Sequence, residues 1–427
     1  MVLFTKPLVT SFSIALLASV LTTNVRATDA PRPWPPNQFA PVTLERISAI
    51  PAAGQSAWKA YWKASRKLAV RQPAIAVTEY SPLKPISGPP IGALYSKGLS
   101  LDAPALWYAS DEARTIADHV VTAQTAAGAW MKGNNYEQPN PKSPATEGNI
   151  WNRGTFDNDA TILEMRFLAR VNAASPNNAR SAAWRKAFLR GLHYSFAAQY
   201  PNGGFPQVYP LAGGYHDNVT FNDNVTVRVL ELLRDVAAGQ PEFAFVPAKL
   251  RKEARLRVER GVGCILATQI KAGDDRRTIW APQYDALTLQ PAAARNFEPI
   301  GLDTRESTSI TTFLMSRTNP SPAIVGAVDD AMAWFRRTPL PNITWGRFTN
   351  DAQVVVSPGA PPLWARFYEL NTDKPIFGDR DRTIHYAVAE ISDERRAGYT
   401  WYGDWPASAL EMYDAWRKEV GTPENKR

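Results

Sequence analysis

Apolar side chains recur every three or four positions through residues 113–124, 191–199 and 261–269, and each run closes on a glutamine. Gln124, Gln199 and Gln269 each lead into a turn and then an aromatic residue: Trp130, Phe205 and, after a basic insertion, Trp280. The first two turns are glycine-rich. Between these runs lie second apolar stretches at 159–171, 225–238 and 307–315. Helix, turn, helix at a spacing of about 70–75 residues is long enough for two helices per unit. Three such pairs, each returning the chain to the same end, predict a mainly α fold: an (α/α) toroid of about three helical hairpins. A plain helical solenoid is the fallback.

The flanks read differently. Residues 1–27 have the layout of a secretory signal peptide, with Lys6 ahead of an apolar run (8–21) and Val25-Arg26-Ala27 as a small-residue cleavage site. The apolar run is short for a membrane span. Residues 28–42 are proline-rich and suggest a linker or extended arm, 58–67 a short helix, and 73–105 a loop-rich stretch. The expected organisation is a signal peptide (1–27), a loop-rich N-terminal segment (28–103) and a main domain (104–427). That domain divides into a toroid to about 340 and a smaller C-terminal segment with a short strand at 352–356 and a last helix at 407–419.

Two polar blocks interrupt this pattern at the starts of second helices: Phe156-Asp157-Asn158-Asp159-Ala160-Thr161 and Phe221-Asn222-Asp223-Asn224-Val225-Thr226. Asp and Asn are preferred helix N-caps, but a cap needs one polar residue and each block has three. Carboxylate and amide oxygens are hard ligands, so the two blocks together also suit one calcium ion.

The whole 427-residue chain carries 48 Lys and Arg against 40 Asp and Glu, a net +8; without Lys6 and Arg26 the balance is 46 against 40, or +6. A basic, exported chain suits a polyanion, and outside the cell acidic polysaccharide is met more readily than nucleic acid. With Cys264 alone, no intrachain disulfide forms, and its apolar surroundings predict a buried small hydrophobe. No HExxH, Cys/His cluster or Gly-x-Ser-x-Gly occurs, so zinc protease and serine hydrolase chemistry lack their parts. His119 and His193 fall within predicted helices, whereas His216 and His385 are loop candidates.

Arginines beside aromatics form a further group: Arg366 in Trp364-Ala365-Arg366-Phe367-Tyr368, then Arg380 and Arg382 in Gly378-Asp379-Arg380-Asp381-Arg382, with Arg295 and Arg305 upstream. A guanidinium forks a carboxylate with two parallel hydrogen bonds, the geometry of acidic-sugar recognition. For Arg382 simple surface pairing is the preferred reading. Trp and Tyr residues in loops, Trp280 and Tyr284 among them, are candidate sugar-contacting platforms or loop-covered core.

Three segments resemble the pectate lyases of polysaccharide lyase family ten: 155–168, 200–236 with its Tyr-Pro-Asn-Gly-Gly-Phe-Pro-Gln run, and 367–403 with Phe-Gly-Asp-Arg-Asp and Glu-Arg-Arg-x-Gly-Tyr-x-Trp-Tyr-Gly. The resemblance implies an α/α toroid and Ca²⁺-dependent β-elimination of polygalacturonate by a secreted, monomeric enzyme with no nucleic-acid partner. It implies Asp157, Asn158 and Asp223 as metal ligands, Arg380 as the catalytic arginine, Arg366 as a substrate-carboxylate arginine and Arg295 as a further subsite arginine. Arg382 stands where many relatives have Gly, and ranks second to Arg380 as the base.

An arginine base must act through its rare neutral form, so Ca²⁺ and Arg366 are expected to lower the pKa of Arg380 and give an alkaline optimum. Three other readings fit parts of the pattern. A glycoside hydrolase would use paired Asp157 and Asp223. An isoprenoid cyclase shares Gln…Gly-aromatic repeats, but export and the arginine-rich tail argue against it. The third is a non-catalytic acidic-glycan binder.

Overall fold

The computed structural model describes residues 30–34, 40–70, 96–139, 153–273, 277–348 and 351–421. The signal-peptide reading, residues 28–29 and 35–39 of the proline-rich arm and the prolines of 82–90 lie outside the described residues.

The chain is mainly helical. After α1 (Leu44–Ala49) and α2 (Ala52–Ala69) come α3 (Asp111–Thr122), α4 (Ile162–Ala174), α5 (Ser181–Ala198), α6 (Val225–Ala238), α7 (Ala248–Thr268), α8 (Thr304–Met315), α9 (Pro322–Arg337), α10 (Asp393–Gly398) and α11 (Trp405–Val420). α4, α6 and α8 pack side by side as an inner layer; α3, α5, α7 and α9 lie outside them, and α11 closes against α8 and α9. This is the toroid arrangement expected from the repeat, with an additional outer helix, α9, that the sequence reading passed over. α2 is not a free arm: Trp58 stacks within 5.1 Å of Tyr200, and the Tyr61 hydroxyl donates to the Ala198 carbonyl at 3.0 Å.

The closing glutamines explain themselves here. Gln124 Nε2 donates to the carbonyls of Gly128 (2.7 Å) and Ala187 (2.8 Å), Gln199 to Gly203 (2.9 Å) and Arg257 (2.9 Å), and Gln269 to Thr278 (2.9 Å) and Ala327 (2.8 Å). Each ties its own turn to the next outer helix. One side-chain amide supplies two donors, so it can satisfy a turn carbonyl that has no helical partner and at the same time grip a carbonyl on the neighbouring helix.

A second repeat fixes the same end, where the glutamine turns meet the loops that start the inner helices. The Thr161 hydroxyl donates to the Thr155 carbonyl (2.8 Å) and that of Thr226 to the Thr220 carbonyl (2.7 Å), six residues back in both cases. Each closes the loop that carries a polar block. The small sheet runs, strand by strand, Arg32–Pro33, Thr383–His385, Pro375–Gly378, Phe367–Tyr368 and Leu302–Asp303, every pair antiparallel. It lashes the arginine-bearing C-terminal segment to the entrance of α8. The strand expected at 352–356 is Asp351–Val356, paired with Ile343–Phe348. Cys264 is buried, as expected.

Replacing Gln199 with Leu should cost about 1–3 kcal/mol, the penalty for the buried Gly203 turn carbonyl losing its donor, read as a lowered midpoint in urea. Glu164, wholly buried on α4, accepts from Ser96 (2.9 Å) and Tyr136 (2.9 Å) while burial pushes its pKa to about 7. Its folded pKa exceeds its unfolded value, so its contribution is intact below about pH 4.5 and is lost as pH rises through about 7. Glu164→Gln should therefore raise the melting temperature at alkaline pH and not at acid pH; a uniform shift would contradict this account.

Candidate active site

The two polar blocks are short 3₁₀ turns, Asp157–Asp159 and Asn222–Asn224, packed against each other at one end of the inner helices. Their middle residues take the left-handed conformation: Asn158 at φ 47°, ψ 50° and Asp223 at φ 51°, ψ 30°. Asp159 and Asn224 also have positive φ. Asn and Asp tolerate this region better than other side-chain-bearing residues, which accounts for the composition of the blocks. Neither α4 nor α6 receives a side-chain cap from its block. Of the two roles open to Asp159, Asn222 and Asn224, capping or support of the neighbouring ligands, capping is excluded. Asp159 lies 3.4 Å from Arg228, Asn222 bonds Asp223 and Arg366, and the Asn224 amide nitrogen of the backbone donates to Glu306 (3.0 Å).

Asp157 is buried. Its Oδ1 accepts from Gln207 Nε2 at 2.7 Å and its Oδ2 is ion-paired with Lys132. Burial drives its pKa up, but Lys132 and Gln207 outweigh that, and the carboxyl titrates below its ordinary range. Asp223 goes the other way: burial and the charge of Asp157 raise it to about 6. Two carboxylates in each other's field, one of them only loosely met by Arg305 at 3.9 Å, make a site that gains from a cation. The buried Asn224 Oδ1 accepts no hydrogen bond. Among the described residues no three His, Cys, Asp or Glu side chains converge on a metal position. An ion here would therefore draw on amide as well as carboxylate oxygen, and that all-oxygen donor set fits calcium better than zinc.

A third loop, absent from the sequence reading as a block, completes the floor. Asp303 caps α8 by accepting from the Glu306 amide (3.0 Å), and burial next to Asp303 lifts Glu306 to about 8. Arg366 enters this floor from the sheet. Its Nε meets Asp303 Oδ2 at 3.2 Å, and its Nη2 meets Asn222 Oδ1 at 3.0 Å and Glu306 Oε1 at 3.2 Å. The guanidinium also lies 4.7 Å from the Tyr399 ring centre. It is a buried cation binding two of the three loops together; these contacts occupy much of the fork expected for a substrate carboxylate.

The other arginines gather on one aromatic. Arg295, Arg380 and Arg395 lie 4.7, 5.5 and 4.3 Å from the centre of the Phe297 ring. Gly378 allows this: a Cβ there would sit 2.5 Å from the Phe297 carbonyl, so the strand carrying Arg380 can approach only with glycine. Two glutamates hold these arginines, and Glu394 is shared by Arg380 and Arg395. Glu298 takes Arg295 at 2.8 and 2.5 Å and is pulled to about 2, and Glu394 takes Arg380 at 2.8 and 2.9 Å. Glu394 holds the Arg380 pKa above its ordinary value, and the charge opposing it is that of Arg295. The expected lowering by Arg366 is not what these contacts produce, because a forking carboxylate outweighs it.

Position separates the arginines further. After Lys132 on Asp157 and Arg366 on Asp223, the positive charge of Arg295 also lowers the pKa of both carboxyls, so Arg295 acts on both acidic turns. Arg382 turns aside to Asn296 (3.1 Å). Trp280 and Tyr284 do not line the site. Both are fully buried, with Trp280 Nε1 donating to the Ile265 carbonyl (2.7 Å) and Tyr284 accepting from the Ala281 amide (2.6 Å), so no sugar ring can reach them. His216 is likewise buried, stacked on Tyr215 and kept neutral by burial, with a pKa of about 3. Lys132, Gln207, Phe297, Glu298, Glu306 and Tyr399 belong to the site although the sequence reading gave them no role there. Their signal was proximity: five of the six stand within or next to the runs already singled out.

A profile of the pectic acid lyase family matches residues 124–410. Two solved structures, both family 10 polysaccharide lyase from Cellvibrio cellulosa, superpose with a TM-score of 0.64 at 33% identity. One is an aspartate-to-alanine mutant in complex with trigalacturonic acid and covers 75% of this chain and 98% of its own; the other covers 76% and 98%. No curated protein sequence matches. The chain belongs to the pectic acid lyases of polysaccharide lyase family 10. It is a pectate lyase.

Arg366→Leu should destabilise the fold by about 3–5 kcal/mol, because it leaves Asp303 and Glu306 buried without their cation. Thermal denaturation reads this directly, and an unchanged midpoint would show that the two loops it joins do not depend on it.

Proposed function

We propose that this lyase cleaves the α-1,4-galacturonan backbone of pectate by Ca²⁺-dependent anti β-elimination, yielding 4,5-unsaturated oligogalacturonates outside the cell. The observation that carries the reading is the meeting of two electrically opposite surfaces: the Asp157 and Asp223 turns on one side, the Arg295–Phe297–Arg380 group on the other. The trigalacturonic acid held by the neighbouring structure supports the substrate. Export is inferred from the leader-like residues 1–27.

Asp157, Asn158 and Asp223 are the residues that would hold calcium, with Asn224 Oδ1 alongside. Bound there, the ion would neutralise the C6 carboxylate of galacturonate, whose charge otherwise makes the C5 proton barely acidic. The remaining work falls to side chains. Lys132 keeps Asp157 ionised, and Arg366 keeps Asn222 and Glu306 in place beneath the sugar. In the elimination a base takes the C5 proton. The C5–H electrons form the C4=C5 double bond, the C4–O bond breaks, and the departing oxygen gains a proton from solvent.

For the base we favour Arg295 over the Arg380 that the motif suggested, because the charge of Arg295 acts on both Asp157 and Asp223. Arg380 then serves a neighbouring sugar carboxylate. Glu298 holds Arg295 cationic at rest, so turnover proceeds through its small neutral fraction and kcat rises with pH across the alkaline range.

Following the ultraviolet absorbance of unsaturated product on polygalacturonate tests this. Arg295→Lys should lower kcat about 10²–10⁴-fold, the range for losing a general base, while Arg380→Lys should act mainly through KM. Chelation with EDTA should abolish turnover. Reducing ends without absorbance would establish a hydrolase and overturn the reading.

A further inference from the structure

Beside the acidic turns, between α8 and α11, an open groove of about 510 Å³ is lined by Arg305, Thr308, Ser309, Asp404, Trp405, Ala407, Ser408 and Glu411. It is continuous with the site, since Arg305 both lines it and lies 3.9 Å from Asp223. We propose that this groove is an additional sugar subsite that selects an uncharged unit, such as a methyl-esterified galacturonate, over an ionised one. The proposal rests on the lyase reading for the polymer and on the groove alone for the selectivity.

Two observations carry it. The first is Trp405, which begins α11 and stays partly exposed. A Cβ on Gly403 would lie 2.4–2.8 Å from the indole carbons, so one face of the ring is seated on bare backbone. A ring fixed by its back face and bordering a groove is a stacking plate for the apolar face of a pyranose. The glycine is what makes room for it.

The second is the sign of the lining. Asp404 and Glu411 are exposed carboxylates, and neither has an ion pair or hydrogen bond among the side chains described around it. Arg305 is already drawn toward Asp223. The groove thus carries one cation against two anions, the reverse of the Arg295–Arg380 side. An ionised sugar would meet repulsion here, whereas an uncharged one would stack on Trp405 and bond to Thr308, Ser309 and Ser408 hydroxyls. A polymer spanning both regions would place free acid at the calcium and esterified or neutral sugar at the groove.

Isothermal titration of the full chain with oligogalacturonate and with its partially methyl-esterified form, with calcium chelated by EDTA so that no turnover occurs, reads the selectivity on binding alone. Trp405→Ala should weaken binding of the esterified ligand about tenfold, in line with loss of one stacking contact, and weaken the free acid less; Trp405→Tyr should restore most of it. Asp404→Asn with Glu411→Gln should strengthen binding of the free acid severalfold and so narrow the difference. Equal losses for both ligands in Trp405→Ala, or no gain for the free acid in the carboxamide variant, would overturn the subsite. Absorbance assays run beside the titrations keep the two ideas apart: missing unsaturated product sinks the lyase reading, while the titrations alone decide the groove.

Discussion

Charge balance at one end of the inner helices is the constraint on which the rest of the structure depends. Asp157 and Asp223 lie in each other's field, and Asp303 and Glu306 crowd the adjoining loop, all with little access to water. Carboxylates so placed must be neutralised by protons, by protein cations or by a bound ion. The fold uses the second route twice: Lys132 is spent on Asp157, and Arg366 on Asp303, Glu306 and Asn222. Asp223 has no close ion pair: Asn222 donates to it, Arg305 stands at 3.9 Å, and the charges of Arg366 and Arg295 do not offset its burial, an imbalance that a bound cation can satisfy.

The opposite wall is built by the same logic with reversed sign. Three guanidiniums share the face of Phe297, which would be unfavourable if each were not tempered by the ring and by Glu298 or Glu394. Asp379 adds precision: one oxygen accepts from the Arg380 amide (2.7 Å) while the carboxylate also accepts from the backbone and hydroxyl of Ser392 (2.6 and 2.8 Å). The loop bearing Arg380 and the helix bearing Glu394 therefore move as one. The sheet ties that assembly to Leu302–Asp303, so acidic floor and basic wall are parts of a single hydrogen-bonded frame.

Much of this was legible in the chain. The toroid followed from glutamine-terminated apolar runs, and α6 occupies the span its periodicity set, 225–238. The blocks at Asp157 and Asp223 stood out because their polarity exceeded what caps require. What escaped has physical reasons. α9 closes on Arg337 and Thr338 instead of a glutamine, so the repeat did not frame it. Trp280 and Tyr284 looked like loop aromatics, but their loops fold inward, and burial is a tertiary property that local composition does not encode. The third loop was missed because Asp303 and Glu306 lack the Asn-Asp signature of the left-handed turns. The ranking of arginines depended on which guanidinium faces the acids across the cleft, and spacing along the chain carries no such information.

The central claim is that the two left-handed turns form one calcium site. Equilibrium titration of Ca²⁺ into metal-free protein in the presence of oligogalacturonate tests it most directly, comparing the natural chain with Asp157→Asn and Asp223→Asn. The account predicts one ion bound per chain, lost or weakened at least about tenfold in either variant, with folding retained. Undiminished binding in both variants would contradict it.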